Sequence, residues 1–355
     1  MRLKSLDILR GLDLWLLLMV GPLFHKLFSI VPPQGELGQW FQFQFSHVAW
    51  EGFAMWDIVM PLFMFMSGVT IPFSMERYKG RADTGFYLKL LKRFCLLFFL
   101  GWIVQGNLLS FDLASFHPFS NTLQAIAVGY LVSALLFVNF GLRGQLLMTS
   151  LLFLSYLSAF LFTGMDIDPQ TNVAMLVDEA VLGSHRDGTD YTWILSSLNF
   201  SVTVMSGCFA GQIMCYKGKE ASPRKALIMS AAGVALVVSG LLMSPFFPVI
   251  KRIWSSSMTL LSSGICFLLM SVLYYAVDVR GCRREFKAIQ SFGMNSITAY
   301  MIGETINFSS VSSSLLYGFE SLAGKFYPLV ITFGNVVILF LIIYFMYRYK
   351  VFIRI

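Results

Sequence analysis

Residues 327–347 read YPLVITFGNVVILFLIIYFMY, 21 positions without a charged side chain. A helix crosses a hydrocarbon core with about 20 consecutive, mostly apolar residues, so this stretch is long enough to span a bilayer. The same reading places further spans near 11–30, 53–75, 94–110, 121–140, 145–164, 195–216, 225–246, 255–279 and 288–307. The expected fold is therefore all-α: a polytopic integral membrane protein of about ten transmembrane helices, with residues 1–355 forming a single membrane domain. Composition agrees, since 57% of residues are hydrophobic and 13% charged, against about 25% charged in soluble domains.

Lysine and arginine orient the spans, because cytoplasmic loops carry their excess. Arg2, Lys4 and Arg10; Arg77, Lys79, Arg81, Lys89, Lys92 and Arg93; Arg143; Lys217, Lys219, Arg224 and Lys225; Arg280, Arg283, Arg284 and Lys287; and Arg348, Lys350 and Arg354 fall on one side, 21 of the 26 basic residues. Only Lys26, Arg186, Lys251, Arg252 and Lys325 fall on the other. This alternation predicts cytoplasmic N- and C-termini. It also accounts for the net charge of +7 without nucleic acid, which would need a soluble basic face. The basic start and the apolar run Leu14–Val20 superficially resemble a secretory signal, but Pro22, Phe24 and His25 continue the stretch as a first helix. Five cysteines at 95, 208, 215, 266 and 282 match no metal spacing and are read as packing residues; no metal is expected.

Two segments, 31–52 and 165–194, are expected as non-cytoplasmic loops. The first is aromatic and polar, as interfacial belts are. The second carries Asp166, Asp168, Asp178, Glu179, Asp187 and Asp190 against Arg186, and long loops without secondary structure tend to be functional or mobile.

All four histidines, at 25, 47, 117 and 185, fall toward the outer ends of helices in this topology. His47 is the best placed for proton transfer, because Asp57 follows in the first turns of the next span, where an ionisable group is costly and faces protein or a wet cavity. A structural tie between the two is the alternative. Asp7, Arg10 and Asp13 are three residues apart, so they share a helix face and can neutralise one another; phosphate recognition by Arg10 is the sharper option. Lys251 and Arg252 break the charge rule, through an anionic ligand or a tolerated short loop. Glu304, with Asn295 and Thr298, is a polar set inside a span that lines a cavity or joins helices. Gly68, Gly106, Gly129 and Gly211 are expected to allow close helix approach.

The opening Ser5-Leu6-Asp7-Ile8-Leu9-Arg10-Gly11, the block His47-Val48-Ala49-Trp50-Glu51-Gly52-Phe53 and the run Asp57-Ile58-Val59-Met60-Pro61-Leu62-Phe63-Met64-Phe65 with Gly68 together resemble one family. It is the transmembrane acyltransferase superfamily of heparan-alpha-glucosaminide N-acetyltransferases and their bacterial homologues. Leu123-Gln124, Lys251-Arg252-Ile253-Trp254-Ser255 and Gly293-Met294-Asn295-Ser296 follow in the expected order.

The resemblance implies transfer of an acetyl group from cytoplasmic acetyl-CoA, a co-substrate, to an amine or hydroxyl of a sugar across the membrane, such as glucosamine. It implies catalysis by His47, as general base or through transient acetylation, with Asp57 orienting the site. Arg10, Arg93, Gln124 and Asn295 would meet CoA; Trp50, Lys251, Arg252, Trp254 and Glu304 would meet the acceptor. A bacterial inner membrane is the implied location, the lipid bilayer and a glycan are the implied partners, and a homodimer is compatible. Gly21 stands where the family carries an asparagine, and Ala125 where an arginine follows the glutamine. A sugar transporter or flippase, supported by the intramembrane polar groups, and a structural partner of another membrane enzyme are the rival readings.

Overall fold

The computed structural model describes residues 4–216, 218, 220–282 and 286–353. Arg2, Lys217, Lys219, Arg283, Arg284 and Arg354 of the charge pattern lie outside the described residues. Among the described residues the structure is helical, with one extended pairing, an antiparallel bridge between Glu51 and Ile250. Seven helices among the described residues are long and apolar enough to cross a membrane: Met55–Tyr78, Thr122–Asn139, Leu142–Phe162, Ser197–Cys215, Pro223–Met243, Ser256–Val279 and the run Ser309–Arg348. The chain is an integral membrane protein. Its surface agrees: Leu146, Leu147, Leu151, Leu154 and Phe162 on one helix, and Leu227, Val234, Val238, Leu241 and Leu242 on another, are exposed. Patches this apolar on a soluble monomer would mark an interaction surface.

The stretches expected at 11–30, 94–110 and 288–307 are helical as well, and each is modified. The first is divided by a π turn at Leu16–Val20, where Gly21 N–H donates to Leu16 O. Pro22 follows immediately, and its missing N–H explains the shift of the ladder. The second lies in Thr84–Val104, whose first half carries Lys89, Lys92 and Arg93. The third is broken at Asn295 into Lys287–Met294 and Ser296–Thr305. The segments 31–52 and 165–194 are more ordered than their composition suggests: Gly35–Gln44 and Val173–Leu182 are helices within them.

The chain forms two compact units. The larger comprises Val48–Phe53 and Met60–Arg280. Its centre is built where helix Val59–Met75 meets Ser197–Cys215 with almost no space between backbones. A Cβ on Gly68 would stand 1.9 Å from Val204 O, and one on Gly207 would stand 1.9 Å from Phe65 O. Gly129 and Gly211 serve similar approaches, to Phe200 and Val69. Gly106 does not: it lies past the end of its helix, and a Cβ there would meet Trp102 of its own segment and His117 O, so it serves a turn. Phe65, Phe137, Phe200 and Trp254 fill the core, each at most 1% exposed.

The smaller unit comprises the described residues up to His47, Ala54–Val59 and the described residues from Gly281 onward. Helix Lys4–Trp15 packs on Lys287–Met294 through reciprocal glycines: a Cβ on Gly11 would meet Ile289 O at 2.0 Å, and one on Gly293 would meet Asp7 O at 1.8 Å. Tyr327–Arg348 closes the unit, with Trp15, Phe292 and Phe340 in mutual ring contact.

Candidate functional site: a histidine–carboxylate pair

The helix Gly35–Gln44 ends at Phe45, whose N–H donates to Gln42 O, while Ser46 N–H donates to Phe43 O. Phe45 stacks on Phe24 at 4.6 Å and lies 5.8 Å from Trp56. His25 joins the same cluster, with Nε2 hydrogen-bonded to Phe45 O and its ring edge-on to Trp56 at 5.4 Å. Gln44 Oε1 accepts from Met55 N at 3.0 Å, tying the two ends of the segment together.

This framework presents His47 to Asp57. His47 Nδ1 and Asp57 Oδ1 are 2.8 Å apart, and Asp57 Oδ2 accepts from Ala54 N at 3.1 Å. The Asp57 side chain is 1% exposed and that of His47 46%. A buried carboxylate is an acceptor at both oxygens, so it places the imidazole hydrogen on Nδ1, and proton transfer falls to Nε2. Asp57 also occupies the third position of the short helix Met55–Ile58, where a carboxylate stabilises the helix start. The sequence expectation of a His47–Asp57 pair is thus met in space, by a residue that also has a structural task.

Where the family asparagine would stand, Gly21 is filled from outside. A Cβ there would lie 2.2 Å from the Trp56 ring, so Trp56 occupies the space a side chain at 21 would need.

Elsewhere in the smaller unit, Asn295 is 1% exposed and neither amide atom has a hydrogen-bond partner. Asp13 is fully buried and both its carboxylate oxygens are likewise unpaired. It therefore does not complete the ion-pair set expected with Asp7 and Arg10; its burial without a partner is the finding. Glu304 lines a pocket of about 340 Å³.

In the larger unit, Trp50 Nε1 donates to Ile167 O at 3.0 Å, and Gly52 N to Val249 O at 2.8 Å. These bonds lay Trp50's segment beside the stretch that continues into Lys251 and Arg252. Lys251 is buried, and Arg252 pairs with Asp190 and lies 5.6 Å from the Tyr191 ring centre. Trp254 is turned inward instead. Its Nε1 donates to Thr203 Oγ1 at 3.1 Å, and its ring packs edge-on against Phe200 at 5.0 Å. Gln124 is fully buried and satisfied by Ser120 N, Asn121 Nδ2 and Pro118 O. Arg93 donates to Tyr130 OH at 2.8 Å, with its guanidinium 3.9 Å over that ring.

Sequence reasoning missed Asp178 among the acids of its loop. Its oxygens accept from Trp193 N at 2.7 Å and Ile194 N at 2.9 Å, anchoring the segment that carries Asp190. Burial pushes its carboxyl up to about 6, against the two backbone bonds that favour the anion. The unfolded chain loses this proton near pH 4 and the folded one near 6, so the loop loses stability as pH rises across that window and is constant above it. Thermal unfolding of the native chain will show that slope. Asp178→Asn will remove it, and will also lower Tm because an amide nitrogen then faces a backbone N–H.

The fold and the dyad define a class: a polytopic helical membrane protein carrying a histidine–carboxylate pair held by an aromatic cluster. The chain is distantly related to human heparan-alpha-glucosaminide N-acetyltransferase, with 27% identity over 369 residues, covering 84% of this chain and 52% of the relative. It therefore spans about half the length of that protein. No family model matches the chain.

Proposed function

We propose that this protein is a membrane-bound acetyltransferase that moves an acetyl group from acetyl-CoA to the amine or hydroxyl of a sugar. The observation that carries the reading is the His47–Asp57 pair, a base whose tautomer is fixed by a buried acceptor. The relative is by name an N-acetyltransferase acting on a glucosaminide, which supports an aminosugar as acceptor.

In the step proposed, His47 Nε2 takes the proton of the acceptor nitrogen or oxygen as that atom attacks the thioester carbonyl. The new C–N or C–O bond forms, the C–S bond breaks, and the CoA thiolate leaves with the electron pair. Proton transfer of this kind contributes about 10²–10⁴-fold. The unpaired Asn295 amide offers a donor and an acceptor to the donor's pantetheine amides, and Arg10 of the same unit offers charge to its phosphates. The full arrangement proposed is ten spans with both termini in the cytoplasm of a bacterial inner membrane, and His47 on the periplasmic side.

The test is acetyl-CoA binding, and acetyl transfer to glucosamine, by the purified protein in detergent. Well-folded protein that binds no CoA would end this reading in favour of transport or scaffolding. Asp57→Asn keeps an oxygen for Ala54 N but no longer dictates the imidazole tautomer. It is expected to lower transfer by about 10²-fold with a small change in Tm, measured as kcat at saturating acetyl-CoA.

A further inference from the structure

The helix Ser296–Thr305 ends beside the π turn of the first helix, and residues 306–308 continue without regular structure before Ser309–Leu316. Irregular backbone within an apolar bundle is tolerated where it lines a cavity. Here it does: the pocket of about 340 Å³ is walled by Leu17, Pro22, Glu304, Asn307, Thr332 and Asn335, among others. π turns recur at functional sites, and this one supplies the apolar wall.

Oxygen acceptors make up part of the polar wall, beside the amide groups of Asn307 and Asn335. Thr305 and Thr332 spend their hydroxyl hydrogens on the carbonyls of Met301 and Pro328, so each turns lone pairs outward. The helix C-terminus at Thr305 adds backbone carbonyls and the negative end of the helix dipole. Glu304 brings a carboxyl group with no hydrogen bond or ion pair among the described residues, and no lysine or arginine lines the pocket. An ionised Glu304, sharing the pocket with these acceptors at a helix C-terminus, is balanced by one positive charge. Broken membrane helices hold small cations through the same elements, unwound carbonyls and half-helix C-termini.

We infer that the Glu304 pocket binds a monovalent cation, an alkali ion or a small primary ammonium. The inference stands apart from acetyl transfer, because binding is read without a donor.

The experiment is thermal unfolding of the purified full chain in lithium, sodium, potassium, caesium or methylammonium chloride at constant ionic strength. One cation is expected to raise Tm saturably above the others, and Glu304→Gln is expected to make the series coincide. Preference for an alkali ion identifies a metal-ion site, and preference for methylammonium an ammonium site. Thr332→Val, which keeps the charge and removes one acceptor, will shift the midpoint of the preferred cation's titration several-fold higher while leaving Tm without that cation close to native. Coincident curves for all salts in the native protein would overturn the inference, as would cation-specific stabilisation that survives Glu304→Gln. If Glu304→Gln does not fold, an unchanged titration in Thr332→Val overturns it.

Discussion

Replacing His47 by alanine is expected to lower acetyl transfer by about 10²–10⁴-fold, the usual contribution of a positioned base. The ring also satisfies Asp57 alongside the Ala54 N–H, so some stability is lost with it, about 1–3 kcal/mol for a buried acceptor left short of a partner. His47→Gln separates the two effects. Its amide can donate to Asp57 as Nδ1–H does, yet it has no basic nitrogen, so it should recover Tm and not activity. Rates with saturating acetyl-CoA and glucosamine, together with Tm, decide the matter. Full transfer by a folded His47→Gln protein would remove the base from the mechanism. Radiolabelled acetyl retained on the native chain without acceptor, and absent from His47→Gln, would identify the acetyl-histidine route instead.

Gly68→Val should be among the most damaging single changes to the fold. The missing Cβ is what lets helix Val59–Met75 reach Ser197–Cys215, and any Cβ at 68 would stand 1.9 Å from Val204 O and 2.9 Å from Cys208 N. Both neighbours are helix backbone, which cannot rotate away as a side chain can. Overpacking of a core typically costs about 1–3 kcal/mol and occasionally more; a clash with rigid backbone belongs at or above the top of that range. Gly141→Ala is the matched control, because a Cβ there meets nothing within 4 Å, and it should cost less than about 1 kcal/mol. Thermal unfolding in detergent compares the two, and equal Tm values would show that the helices are free to separate.

Within the site, Trp56 illustrates what a one-dimensional reading leaves out. Gly21 can be read as a departure from a family asparagine, but its space is taken by a residue 35 positions later, so the loss and the gain are one packing event. His25 is similar: nothing local announces that its ring would meet Phe45 O and Trp56. Trp254 and Gln124 show the opposite case. Their place in the sequence suggested substrate and CoA contacts, whereas their polar atoms are bonded within the larger unit. A motif position records which residue is present, and the direction of its side chain depends on the backbone around it; Trp254 sits at φ +53°, which turns its ring inward.

The sequence by itself determined the solvent, the helical class and the two residues of the dyad. Long uncharged runs admit few structures in a bilayer, since every backbone group must be bonded within its own segment, and that constraint is local. His47 and Asp57 are ten residues apart on one short connection, close enough for the pattern to pair them. Tertiary structure alone decided that Asn295 breaks its helix, that Asp178 anchors the segment carrying Asp190 through two backbone bonds, and that Glu304 opens into a pocket. These depend on which backbones meet, and those meetings are set by glycines such as Gly68 and Gly293, whose partners lie more than a hundred residues away. No local pattern encodes a contact of that separation, because the energy that selects it arises only when both surfaces are already formed.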